Sequence, residues 1–176
     1  MLKSTTDRYG GIPITIHWIS AILILLLLGS GFQAANAMDP VAKGAFLRVH
    51  IPMAIAILLL TLLRIVWWWF FDRKPQPVQG SPAWQEWLAR AVHIVFYIVI
   101  LGMVASGIGM MVLSGAAPDI FAGSSTLPDF NNFLPRVPHG LGASLLVALL
   151  VAHIGAALYH HFIRRDGLLW RMWFGR

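Results

Sequence analysis

The sequence predicts an all-α membrane protein: a four-helix antiparallel bundle with both termini in the cytoplasm. Three observations predict it. Apolar residues make up 58% of the 176-residue chain and charged ones 11%, where a soluble domain averages about 25% charged. The apolar residues gather in four runs, each near the roughly 20 residues that a bilayer crossing requires. The cations gather on one side of those runs. Lys3, Arg8, Arg64, Arg73, Lys74, Arg90, Arg164, Arg165, Arg171 and Arg176 fall on the side of the N-terminus, and only Lys43, Arg48 and Arg136 fall opposite. The positive-inside rule then places both termini in the cytoplasm.

The elements follow in order, as one domain over residues 1–176. A polar stretch at 1–11 leads into a first helix at 14–32, with His17 near its start. Ala35, Asn36 and Ala37 resemble a signal-peptidase site, but the apolar run exceeds the about 7–15 residues of a signal core, so a retained helix is expected. Residues 33–44 read as a polar loop containing Asp39, Pro40 and Lys43. The second helix is expected at 46–71, with His50 near its start and Pro52 in its first turns, where a missing N–H is tolerated. Trp67, Trp68 and Trp69 near its end suit an interfacial aromatic belt. A proline-rich connection and an amphipathic lead-in at 84–90 precede a third helix at 88–113, with His93 near its start. Gly102, Gly107 and Gly109 give that helix small surfaces for close approach. Residues 114–136 form the longest loop, with room for a short surface helix. The fourth helix is expected at 137–162, before a basic tail.

Composition excludes several chemistries. The chain has no cysteine, which removes disulfides, thiolate metal sites, covalently attached c-type haem and cysteine-held iron–sulfur clusters. No phosphate loop, dinucleotide fingerprint, nucleophile motif or acid–base pair is present. Topology accounts for the basic tail, so nothing points to nucleic acid.

What remains is histidine. The fourth run carries His139, His153, His160 and His161 of the chain's seven. His139 and His153 are 14 positions apart, so on a helix they fall within roughly 40° of one face and about 21 Å apart along its axis. Depth then pairs His50 with His139 near the outer face and His17 with His153 toward the inner one. Tilt must absorb a mismatch in the inner pair. An ionisable group inside a span is costly and marks function. Neutral imidazole is a good iron ligand, and facing helices of a bundle build cofactor sites. Two bis-histidine haems are therefore expected, a saturated ligation suited to electron transfer. Gly140, Gly142, Ala143, Gly155 and Ala156 leave room for a flat ring, and Arg48 and Arg136 stand near the outer histidines, where they could pair with propionates. His93 has three open roles: touching an inner propionate, carrying protons, or replacing His17 as ligand. His160 is a further candidate for contact with a cofactor, although His160 and His161 taken alone read more often as interfacial polar residues than as ligands. Met103, Met110 and Met111 read as packing.

An ordered set of residues carries a family resemblance over nearly the whole chain: Ile16, His17 and Trp18; His50 with Leu63 and Arg64; His93 with Tyr97; His139 with His153; His160 and His161; and the tail Asp166, Gly167, Leu168, Leu169, Trp170, Arg171, Met172. In this the chain resembles the bacterial four-helix cytochrome b561 proteins, and within them it is most similar to the superoxide-oxidising type. The resemblance implies two b-type haems held by the pairs His17–His153 and His50–His139. It also implies oxidation of superoxide at the periplasmic face and reduction of ubiquinone within the bilayer of the inner membrane. Lys43, Arg48 and Arg136 are then candidates for steering an anion to the outer haem or for neutralising its propionates. The outer loop departs from the resemblance in length and composition, so no substrate contact carries over there. A rival expectation is a cytochrome b subunit exchanging electrons between the quinone pool and a separate periplasmic redox protein. A third is a non-redox membrane scaffold or ion pathway.

Overall fold

The computed structural model describes residues 1–78 and 80–173; Arg176, counted above among the cations, lies outside them. The helices are α1, Gly11–Asn36; α2, Pro40–Val66; α3, Ala83–Ser114; a short α4, Ala117–Ala122; and α5, Arg136–Tyr159. Wider π-helical turns, Trp67–Phe71 and His160–Arg164, extend α2 and α5. Four spans result, of 26, 32, 32 and 29 residues, each long and apolar enough to cross a membrane. No strand occurs among the described residues.

The helices outrun their predicted bounds, and the reason is physical. Hydropathy marks the hydrocarbon layer, whereas a helix of about 30 residues reaches some 45 Å, through the headgroups on both sides. The expected loop at 33–44 shrinks to residues 37–39. Asp39 caps α2, its carboxylate accepting from the amides of Val41 (3.2 Å) and Ala42 (3.0 Å), and Pro40 takes the first helical position. Lys43 is therefore helical. His50 lies three turns inside α2 rather than near its start. Pro52 is interior as well, not in a first turn, and it leaves the Arg48 carbonyl without its helical donor. The lead-in at 84–90 is continuous with α3. That helix ends at Gly115, whose φ of +65° a side chain would strain. The short helix expected between the third and fourth spans is α4.

Two hairpins build the bundle. α1 packs along α2 and α3 along α5, while the hairpins touch one another sparingly. They join at mid-depth, where Ile24, Ile57, Val99, Ile100 and Leu146 form the buried cluster. Leu146 lies two helical turns from both His139 and His153, so the core separates the two histidine levels. Leu25, Leu59, Ile98 and Val151 face outward, as side chains in a lipid solvent do.

Both termini meet at one end. The Tyr9 amide donates to the Arg171 carbonyl at 3.4 Å. The Arg171 guanidinium donates to the carbonyls of Asp7 (2.6 Å) and Gln76 (2.7 Å). Trp18 Nε1 donates to the Met172 carbonyl at 2.9 Å. Asp72 pins the N-terminal segment: its carboxylate accepts from the Ser4 amide (3.0 Å) and hydroxyl (2.9 Å), the Arg73 amide (2.8 Å) and Trp67 Nε1 (3.1 Å). Burial pushes this carboxyl up, but those hydrogen bonds together hold it below the usual carboxylate range. A lowered folded pKa stabilises above the unfolded value of about 3.9 and is lost as pH falls through the folded one. The hydrogen-exchange protection of the Ser4 amide is expected to hold near neutrality and to be lost only as pH falls through the lowered Asp72 value, beneath the ordinary carboxylate pKa of about 3.9. Asp72→Asn should remove that pH dependence, and a profile unchanged by the substitution would refute the role given to Asp72.

Candidate functional site

The structure brings the histidines together across the hairpins. His50 on α2 faces His139 on α5 with ring centroids 6.3 Å apart and planes at 61°. His17 on α1 faces His153 on α5 at the same 6.3 Å and 61°. Two imidazoles gripping one metal from opposite sides, with metal–nitrogen bonds of about 2.0–2.1 Å, would stand with ring centres about 6.3 Å apart. Each pair thus has the separation of a bis-imidazole clamp. Among the described residues no three His, Cys, Asp or Glu side chains converge on one point. A bare ion would lack ligands here. A metal that brings its own equatorial donors, as haem iron does, would need only the two axial imidazoles.

Hydrogen bonds set the tautomers of the outer pair. His139 Nδ1 lies 3.0 Å from the Met103 carbonyl and 3.0 Å from Ser106 Oγ. A carbonyl only accepts, so Nδ1 carries the proton and Nε2 is left with its lone pair. His50 Nδ1 lies 3.1 Å from Ser30 Oγ, whose own proton goes to the Leu27 carbonyl at 3.2 Å, so His50 Nδ1 donates as well. A glycine follows each serine. A Cβ at Gly31 would stand 3.1 Å from His50 Cε1, and one at Gly107 would stand 3.4 Å from His139 Cε1. Two Ser-Gly dipeptides, one per hairpin, therefore orient the outer rings and leave space for them. Sequence reasoning missed both serines and Gly31; the recurrence of Ser-Gly opposite a histidine on the neighbouring helix was the signal that could have found them.

A cavity of about 540 Å³ lies between the hairpins around this pair, within the usual 300–1,000 Å³ of cofactor sites. Gly31, Ile57, Gly107, Gly140, Ala143 and Leu146 line its apolar wall. Lys43 and Arg136 line its polar part, beside Asp129. The Asp129 carboxylate is itself engaged by the amide and side chain of Asn131, at 3.0 and 2.9 Å. Opposed rings with free Nε2 atoms and a glycine-lined slot fit a haem. Arg48 stands apart from this lining: its guanidinium donates to the Ile120 carbonyl at 3.1 Å and so ties α2 to α4.

At the other level His153 has two imidazole neighbours. His93 lies 5.7 Å away with its plane at 85°, closer than a clamp would hold it. Its Nδ1 donates to the Ala89 carbonyl at 2.5 Å. Phe96 packs edge-on against His153 at 5.5 Å. His17 Nδ1 meets Arg64 Nη1 at 3.4 Å. His160 joins neither pair. Its Nδ1 bonds Asp166 at 2.5 Å. Burial raises the Asp166 carboxyl, but this bond and the Leu168 amide bring it below its usual range. His161 packs against Trp170 at 5.6 Å.

Comparison with known proteins gives the same direction. The family model described as prokaryotic cytochrome b561 matches residues 8–175. Cytochrome b561 homolog 1 of Escherichia coli (strain K12) is 27% identical over 175 residues, covering 94% of this chain and 97% of that protein. A protein of Yersinia pestis named probable superoxide oxidase CybB is 27% identical, over 94% of this chain and 95% of its own. Cytochrome b562 of Cereibacter sphaeroides is 26% identical, over 93% and 94%. Four membrane-crossing helices, opposed histidines and a match across almost the whole chain place this protein in the prokaryotic cytochrome b561 family, the haem b electron carriers of the membrane.

Proposed function

We propose that this chain, acting as one domain in the bacterial inner membrane with its termini in the cytoplasm, binds two haems b and oxidises superoxide at its periplasmic end while reducing ubiquinone in the bilayer. His50 and His139 would hold the outer haem, His17 and His153 the inner one. Haem supplies reversible one-electron acceptance when bound. The protein positions the two clamps at different depths and separates them with the Leu146 layer. The observation that carries the reading is the outer cavity, where Lys43 and Arg136 stand beside the His50–His139 pair and outnumber the one lining carboxylate, Asp129. Two cations at the mouth of a low-dielectric slot draw in a small anion. The balance is two superoxide anions giving up one electron each to yield two dioxygen molecules, and one quinone taking those electrons with two protons to yield quinol. The Yersinia pestis relative's name supports this substrate; the quinone rests on the likeness to the superoxide-oxidising type.

Stopped-flow mixing of the oxidised protein with superoxide tests it. Haem reduction should outpace spontaneous dismutation. Lys43→Glu should slow the second-order step by about tenfold at low ionic strength, with the difference closing near 1 M salt as screening shortens to about 3 Å. Absence of haem reduction by superoxide, with ready reduction by quinol and a co-purifying periplasmic protein, would favour the electron-transfer subunit instead.

A further inference from the structure

Arg64, near the end of α2, is a cation short of acceptors. Its Nε is buried with no hydrogen-bond partner, and its Nη1 rests 3.4 Å from His17 Nδ1. Guanidinium has five donors, accepts nothing and keeps its charge. Among the described residues the ion pairs are Arg90–Glu86 and His160–Asp166, and neither involves Arg64. The Asp72 carboxylate is already filled by Ser4, Arg73 and Trp67. A second cation adds to the imbalance: Lys74 Nζ lies 5.9 Å over the Trp68 ring. Burial, then the charges of Arg64 and Arg90, push the Lys74 ammonium pKa down. Arg64 is half-buried with its Nε shut off from solvent, and a partly desolvated charge without a counter-charge is costly. Ligation of His17 through Nε2 sharpens the deficit. Nδ1 would then carry the proton, and the Arg64 contact would become donor against donor.

We propose that Arg64, backed by Lys74, is the seat of an anionic oxygen group beside His17, and that the group is a propionate carboxylate of the inner haem. This rests on the His17–His153 haem reading. A phospholipid phosphate shares the chemistry, and the test separates the two sources. Arg64→Gln and Arg64→Lys would be prepared as the full chain in nanodiscs of neutral or anionic lipid. Each would be read by haem count, optical spectrum and redox titration. Arg64→Gln should lower the midpoint of one haem only, because a nearby cation favours the reduced state. It should weaken retention of that haem by about tenfold or more, the usual effect of losing an outer partner of a metal site. Arg64→Lys should restore most of both. Wild-type protein loaded with haem b dimethyl ester, which needs no folded variant, should retain the inner haem about as weakly as Arg64→Gln does and show a raised midpoint, because the carboxylate's negative charge is gone while the Arg64 charge stays; Arg64→Gln should lose no further retention on esterification. An esterified wild type that retains the inner haem as tightly as the native one overturns the seat. So does a response to Arg64→Gln that follows anionic lipid and ignores esterification. A wild type with no haem at the His17–His153 level overturns the reading beneath the proposal instead.

Discussion

His139→Ala is expected to halve the haem content of the purified protein and to abolish its reaction with superoxide. The ring faces His50 at 6.3 Å, and its Nδ1 proton is held by the Met103 carbonyl, which leaves Nε2 as the ligating nitrogen that alanine lacks. Removing even an outer partner of a metal ligand costs about 10- to 100-fold, so loss of the ligand should exceed about 100-fold in the rate of haem reduction by superoxide. The inner clamp lies two turns beyond Leu146, separated by the packed core, and should keep its spectrum. A variant that retained two haems and normal superoxide kinetics would refute the outer assignment.

The second large effect is expected at the inner level, where two histidines compete for His153. His17→Ala should remove one haem and spare the other. His93→Ala should retain both, with a small shift in the spectrum of the inner one. The geometry favours this order. His17 and His153 repeat the 6.3 Å and 61° of the outer pair, whereas His93 crowds His153 at 5.7 Å with its ring edge-on and its Nδ1 tied to the Ala89 carbonyl. Loss of a haem in His93→Ala, together with retention of both in His17→Ala, would transfer the ligand role to His93. The same pair of variants read by redox titration would show which midpoint belongs to which level.

Much of this architecture was legible in the sequence because two periodicities carry it. The bilayer thickness fixes the length of an apolar run, and the helix turn fixes which residues of that run share a face. His139 and His153 satisfy both at once, so depth pairs His139 with His50, while the partner of His153 was left between His17 and His93 because the inner depths do not match. The helix ends were not legible, because Gln33, Asn36 and Lys43 are polar yet helical in the headgroup region. The Asp39–Pro40 dipeptide, taken as a loop, is a capping signal. Arg64 was read only as a topological cation and a mark of resemblance. Its orphaned Nε and its contact with His17 depend on α1 and α2 meeting, which no local pattern records. Ser30 and Ser106 escaped for a related reason: a serine inside an apolar helix ordinarily satisfies itself on a carbonyl one turn back. Both do so here, at 3.2 and 2.9 Å, while also meeting a histidine on the adjacent helix. Arg48 was expected to face the outer histidines, but its guanidinium turns to the Ile120 carbonyl of α4, a partner from the segment read as the longest loop.

The most direct measurement is the haem count of the purified wild-type chain, taken with a reduced-minus-oxidised spectrum. Two low-spin b haems per chain are the expected result, because both imidazole pairs have the 6.3 Å separation that a bis-imidazole clamp requires. A single haem, or a colourless protein, would contradict two stacked clamps and return the unfilled pair to an interfacial or proton-carrying role.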